Sequence, residues 1–196
     1  MAAGDEVCVD LYGATTSGNW NNYSGTELTS MVRLSDGATT GISFNTTTGF
    51  EGAGSAGMSG WTGDFPDYFP DTAIDDYQYA NSGGTGLFEW GGPDSDATYT
   101  IIISGTRNAG GPRVAKITIG AAFDSYDCAG NVDEYAIFTG VSPDGANEIH
   151  ATMVSDSSNF HYLGVAVIIE EAAGGTYPLE IQEFNRIKNR QPILGM

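Results

Sequence analysis

The sequence predicts an all-β chain, a two-sheet antiparallel β-sandwich of the jelly-roll kind with an extended C-terminal tail. Three observations predict it. Eight or more short strand candidates recur at intervals of roughly 8 to 15 residues, each bounded by turn residues. The 196 residues include 28 Gly and few Lys. Gly costs about 1 kcal/mol relative to Ala inside a helix, so this composition favours strands and tight turns. No segment carries a convincing helical period. The length fits one domain with appendages, here 1–175 for the sandwich and 176–196 for an additional strand and docking tail. Nine Phe, ten Tyr and three Trp within an apolar fraction of 40% supply a sizeable core.

Val7, Val9 and Leu11 alternate with Glu6, Cys8 and Asp10. That is the period of a strand with one wet face, and it places Cys8 on the polar side. Residues 12–27, dense in Gly, Ser, Thr and Asn, read as a long loop displaying Trp20 and Tyr23. Segments 31–34 and 39–45, joined by Ser35, Asp36 and Gly37, read as a hairpin, because Asp-Gly readily takes the positive φ angles of a tight turn. From 46 to 86 the alternation dissolves into Gly, Ser, Asp and aromatics, a lid over one edge of the fold or a set of ligand-holding loops. Strand candidates then follow at 87–90, 99–104, 113–119, 134–138, 148–154 and 162–169, with Trp90 expected in the core. Tyr177, Leu179 and Ile181 can add one more strand across the turn at 172–175.

The chain carries 25 acidic and 7 basic side chains, a formal net charge of −18. Such a surface repels phosphate backbones and anionic headgroups, so nucleic acid and membrane are excluded as partners of the body. No apolar run approaches the roughly 18 residues needed to span a bilayer. The first residues, MAAGDE, show neither region of a secretory signal. The charge is divided along the chain, with −21 net up to residue 185 and +3 in the last eleven residues. Arg186, Ile187, Lys188, Arg190, Ile193 and Leu194 therefore form a basic, apolar tail expected to dock on other protein subunits of an oligomeric assembly. Cys8 and Cys128 are too few for a disulfide scaffold and allow either two free thiols or one long-range bridge.

Motifs for catalysis are absent. There is no Gly-x-Ser-x-Gly elbow, His-Glu-x-x-His, phosphate loop or Cys-x-x-Cys pair. His150 and His161 fall in different strand candidates without ligand-spaced neighbours and read as surface or satisfied histidines. The expectation is a protein that is not an enzyme, the alternative being a hydrolase using loop carboxylates. Asp64, Asp67, Asp71, Asp75 and Asp76 put five carboxylates into thirteen residues. Such a loop is either a site for a hard cation such as Ca2+, which takes roughly six to eight oxygens, or a solvated acidic loop. Sugars present apolar CH faces with a rim of hydroxyls, so their sites pair aromatic rings with Asn, Asp and Arg. Trp20 between Asn19 and Asn21, Trp61, and Tyr126 beside Asp124 and Asp127 offer that mixture on expected loops. Each Trp can equally plug an open end of the sandwich.

The strings GNWNN at 18–22, YTIIISGTR at 99–107, VSPDG at 141–145 and FHYLG at 160–164 run in an order that resembles galactose-binding-like jelly-roll modules over residues 5–170. These are carbohydrate-binding-module-like domains, often appended to large bacterial surface proteins. The resemblance implies a two-sheet sandwich and glycan binding or adhesion without catalysis, and it draws attention to Asn19, Trp20, Asn21 and Arg107. Arg107 can instead pair with a carboxylate to brace its loop. By architecture alone, a small acidic jelly roll with a docking tail also looks like a virion accessory protein, a decoration, fibre or tail-associated subunit. The combined expectation is a glycan-binding accessory module on a virion or extracellular surface, made in the cytoplasm and released by lysis or assembly. The alternative is a purely structural cement.

Overall fold

A computed structural model of the chain describes residues 1–12, 15–62, 69–156 and 160–172. In chain order the elements are β1 (Glu6–Leu11), β2 (Asn21–Tyr23), β3 (Ser43–Thr48), β4 (Gly52–Ser55), α1 (Asp71–Ile74), β5 (Asp76–Ala80), β6 (Thr85–Gly91) and β7 (Tyr99–Ser104). They continue as β8 (Val114–Ile119), β9 (Ala122–Asp127), β10 (Ala136–Val141), β11 (Glu148–Ser155), β12 (His161–Leu163) and β13 (Val165–Glu170). One five-stranded sheet has the order β10-β7-β13-β1-β2, the other β3-β6-β11-β8-β9, and β12-β5-β4 form a small third sheet. Pairing is antiparallel throughout except for β1 with β2, which run parallel. The all-β sandwich expected from the sequence is the observed architecture.

The main core lies between the two large sheets, where Val7, Val9, Leu11, Ile101, Ile103, Ala166 and Ile168 meet Phe44, Phe88, Trp90, Ile117, Ile149 and Met153. A second core lies on the outer face of the first sheet. There Cys8, Ile102, Val165, Val167 and Ile169 are covered by Trp20, Phe69, Ala73, Ile74 and Tyr135. Double coverage explains the uninterrupted apolar runs of β7 and β13, because a strand buried on both faces has no polar face to show. β8, covered on one side, alternates fully buried Ala115, Ile117 and Ile119 with half-buried neighbours.

Several expectations change. Cys8 is buried, because the polar-looking face of β1 is roofed by the covering layer. Of the two alternatives for the cysteines, the structure has the free thiols, both buried. Segment 31–34 does turn back on 38–42, with the Arg33 N–H on the Ala38 carbonyl at 3.0 Å, the Thr40 N–H on the Met31 carbonyl at 2.7 Å and the Met31 N–H on the Ile42 carbonyl at 2.9 Å, but only Val32 and Thr39 form a bridge, and β3 goes on to pair with β6. The region 46–86 contains β4, β5 and the single helical turn α1, whose Asp75 N–H closes on the Asp71 carbonyl at 3.0 Å. Pro70 just before it is preset for a helix start, but four residues are too few to show a 3.6 period. Tyr177 and the tail after it lie outside the described residues.

Candidate functional site

The small third sheet builds the site. Alternation along β5 turns Tyr77 and Tyr79 to one side and Asp76, Gln78 and Ala80 to the other. β4 lies beside β5 with Gly54 opposite Tyr77 and Gly52 opposite Tyr79. A Cβ at Gly52 would stand 2.7 Å from the Tyr79 hydroxyl, and one at Gly54 2.9 Å from that of Tyr77. The two glycines thus let both rings lean across β4. On the other edge of β5, β12 sets Tyr162 opposite Tyr79. Ring centroids lie 4.8 Å apart for Tyr77 and Tyr162 and 5.7 Å apart for Tyr79 and Phe160, both pairs edge to face. Such pairs contribute about 0.5–1.5 kcal/mol beyond their burial and fix the ring planes.

Two arginines close this aromatic wall. Arg107 follows β7 in a loop held by its N–H to the Cys128 carbonyl at 2.7 Å and by the Gly130 N–H to its own carbonyl at 2.9 Å. Its guanidinium lies 5.5 Å from the Tyr77 ring centre and donates to the Ala56 carbonyl at 2.8 Å, and among the described residues it makes no ion pair with a carboxylate. Arg113, just before β8, donates to the Tyr162 hydroxyl at 2.8 Å and lies over the Phe160 and Tyr162 rings at 5.8 and 5.6 Å. Its Nε is buried without a hydrogen-bond partner among the described residues. Burial pushes the Tyr162 phenol above its ordinary range, while the Arg113 and Arg107 charges pull it back. Tyr77, Tyr79, Arg107, Ala109, Arg113, Phe160 and Tyr162 together line a cavity of about 350 Å3, with no acidic side chain among the described residues of its wall. A larger concavity of about 820 Å3, where β9 and β11 of the second sheet face β10 of the first, is lined by Phe123, Phe138 and His150 together with Asp124, Asp144 and Glu148. The smaller cavity has the chemistry of a sugar site, a ring face for CH groups and guanidinium donors for oxygens.

No family model and no curated protein matches the chain. Among solved structures, a β-glucuronidase of Bacteroides uniformis superposes with a TM-score of 0.48 at 11% identity, over 78% of this chain and 20% of that one. The chain therefore spans about a fifth of that enzyme. An exo-β-1,3-galactanase of Phanerochaete chrysosporium, solved with galactose, gives a TM-score of 0.33 at 14% identity, over 70% of this chain and 32% of that one. A family 35 carbohydrate binding module from an environmental isolate gives 0.29 at 16% identity, over 67% of this chain and 92% of that one. At these similarities the likeness carries no function.

Of the residues expected at a sugar site, only Arg107 lines the pocket. Trp20 is 8% exposed and packs edge to face on Phe69 at 6.1 Å in the covering layer. Trp61 is half-buried against the same ring at 5.2 Å. The Asn19 amide donates to the Leu34 carbonyl, and Asn21 spans the Cys8 and Val32 backbones, so both hold loops in place. Tyr126 is in β9, not a loop; it is 1% exposed and donates to the Tyr162 carbonyl at 2.7 Å, supporting the pocket from behind. Tyr77, Tyr79 and Arg113 carry no site motif in the sequence, whereas Phe160 and Tyr162 fall in the FHYLG string. The alternation in DYQYA at 76–80 was the signal available for the first two.

Of the acidic loop, Asp71, Asp75 and Asp76 fall among the described residues. Asp64 and Asp67 lie outside the described residues. Asp71 is exposed and accepts the Gly60 N–H at 2.6 Å. Asp75 and buried Asp76 add their charges to Asp10 on β1, whose carboxyl is 2% exposed beneath the covering layer. Burial pushes Asp10 up to about 7. One of its oxygens accepts the Thr16 N–H at 3.3 Å and the other has no hydrogen-bond partner among the described residues. His161 is buried, which pushes it down to about 4 and leaves it neutral. The described side chains that gather metal-ligating atoms closely are Glu89, Glu148 and His150 on the second sheet.

Proposed function

We propose that this chain is a non-catalytic carbohydrate-binding domain whose saccharide enters the cavity between Tyr79, Tyr162 and Phe160 under the guanidinium groups of Arg107 and Arg113. One observation carries the reading. Residues 1–185 hold four cationic side chains against 25 acidic ones, and two of the four converge on an aromatic pocket with no carboxylate among its described lining residues. In a molecule this acidic, that convergence favours a sugar bearing a carboxylate, which Arg recognises by paired, charge-assisted hydrogen bonds. The aromatic faces supply affinity for the ring, and the acidic surroundings deter unrelated anions.

Calorimetric titration with uronic-acid oligosaccharides and with their neutral counterparts tests this. Acidic oligosaccharides should bind more tightly, and Arg113→Ala should weaken them about 10–100-fold, the loss of one charge-assisted pair. Failure of both classes to bind, or binding unchanged in Arg107→Ala and Arg113→Ala, would overturn the proposal. We extend it to the setting of the module, an accessory part of a virion or comparable assembly held by Arg186, Ile187, Lys188, Arg190, Ile193 and Leu194, all outside the described residues. Removal of 186–196 should then abolish incorporation while leaving saccharide binding intact.

A further inference from the structure

The outer face of the second sheet carries a side-chain group that the sugar pocket does not use. His150 on β11 stands directly across from Glu89 on β6 in the antiparallel register. Glu148 lies two residues earlier on the same strand and so on the same face. Asp144, in the turn leading into β11, completes the set. One of its oxygens accepts the N–H groups of Ala146 and Glu148 at 2.8 and 3.0 Å. The other reaches His150 Nε2 at 3.4 Å. Glu148 Oε2 lies 3.2 Å from the same nitrogen, and Glu89 Oε2 lies 3.2 Å from Nδ1.

The imidazole is thus ringed by three carboxylates, and among the described residues no Lys or Arg forms an ion pair with any of them. One carboxylate suffices to orient a histidine. Three of them concentrate negative charge on an already acidic surface, where a divalent cation relieves the repulsion. The donor set selects its kind: Ca2+ and Mg2+ take oxygen ligands, whereas an imidazole nitrogen among carboxylates suits Zn2+ and related ions. The geometry agrees. The separations of 3.2 and 3.4 Å at Nε2 are those between neighbouring ligands of an ion held tetrahedrally at about 2.0–2.1 Å. Glu89 at the far nitrogen then plays the part of the carboxylate that fixes a ligating histidine's tautomer. The adjoining concavity of about 820 Å3, lined by Asp144, Glu148 and His150, leaves the remaining coordination positions open to water or a ligand.

We propose that His150, Glu148 and Asp144 bind a divalent transition-metal ion of the Zn2+ class, with Glu89 holding the imidazole through its Nδ1–H. The test uses the full untagged chain, stripped with a chelator, titrated with ZnCl2 by calorimetry and with CoCl2 by visible spectroscopy. One equivalent of Zn2+ should bind, Co2+ should give a ligand-field band in the visible, and excess Ca2+ should displace neither. His150 is exposed, so His150→Ala keeps its fold by circular dichroism and should abolish the Co2+ band. Glu89→Gln should weaken Zn2+ about 10–100-fold, the usual effect of losing the partner behind a ligating histidine. No uptake of Zn2+ by the wild type would overturn the proposal, the group then being an imidazole held by its carboxylates alone. Zn2+ binding undiminished in His150→Ala would overturn it as well.

Discussion

Replacing Asp10 by Asn should make the protein more stable, and increasingly so as the pH rises. Asp10 is 2% exposed beneath the covering layer, and burial, with the charges of Asp76 and Asp75, lifts its carboxyl from 3.8 to about 7. The folded chain therefore holds this proton more tightly than the unfolded chain. The stability it contributes is complete below the unfolded value and is lost as the pH climbs through the folded one. A separation of about three units, at 1.36 kcal/mol per unit, puts the full loss near 4 kcal/mol. Asp10→Asn removes the charge while keeping the shape and the acceptor for the Thr16 N–H. Urea unfolding of both proteins, followed by tryptophan fluorescence from pH 4 to pH 8, isolates this group because all others cancel in the difference. The variant should gain steadily on the wild type between about pH 4 and 7, approaching about 4 kcal/mol. A difference that does not vary with pH would refute the reasoning. A difference of opposite slope would also refute it, since it would mean that a cation or donor holds Asp10 ionised.

Three further outcomes follow from packing. Trp90 is fully buried against Phe44 at 5.5 Å and Phe88 at 5.6 Å, so Trp90→Ala should cost about 3–5 kcal/mol. By calorimetry that lowers the melting temperature by about 2–4 °C per kcal/mol. Gly49 has φ +85°, and a Cβ there would lie 1.7 Å from the Thr85 carbonyl oxygen. Gly49→Ala should therefore lose more than the roughly 1–2 kcal/mol of the backbone conformation alone, read from urea midpoints. Trp20→Ala should destabilise the fold by about 3–5 kcal/mol yet leave saccharide affinity unchanged, measured by titration well below its melting temperature. A selective loss of affinity would return Trp20 to the binding site.

Strands that pair within the sandwich were readable because their burial leaves a local trace. The apolar runs at 99–104 and 162–169 and the alternation at 113–119 correspond to β7, to β12 with β13, and to β8. The covering layer left no such trace. Its helix is one turn long, and β4 is GAGS, whose glycines matter for the rings that cross them. Alternation in β1 shows that its two faces differ, but not that the second one is wet; a second layer turns Cys8 and Asp10 into interior residues. The pocket was partly legible. Arg107 and the FHYLG string were marked by resemblance, whereas Tyr77, Tyr79 and Arg113 join them only through the pairing of β5 with β12 and the ring contacts of Arg113. The aromatics that stand out in the sequence, Trp20 and Tyr126, are interior residues, Trp20 in the second core and Tyr126 in the main one, because burying a large ring removes much apolar area from water. His150 looked unremarkable because its neighbour across the sheet, Glu89, belongs to a different hairpin of the chain.

The two thiols stand on opposite sides of the first sheet, Cys8 under the covering layer and Cys128 within the sandwich. Burial pushes the Cys128 thiol up to about 12, so alkylation there waits on exposure. The molecule thus carries one chemical clock in each layer. If the rate of modification at Cys8 outruns that at Cys128, the cover opens as a unit of its own while the sandwich stays shut, and equal rates mean that both layers come apart together.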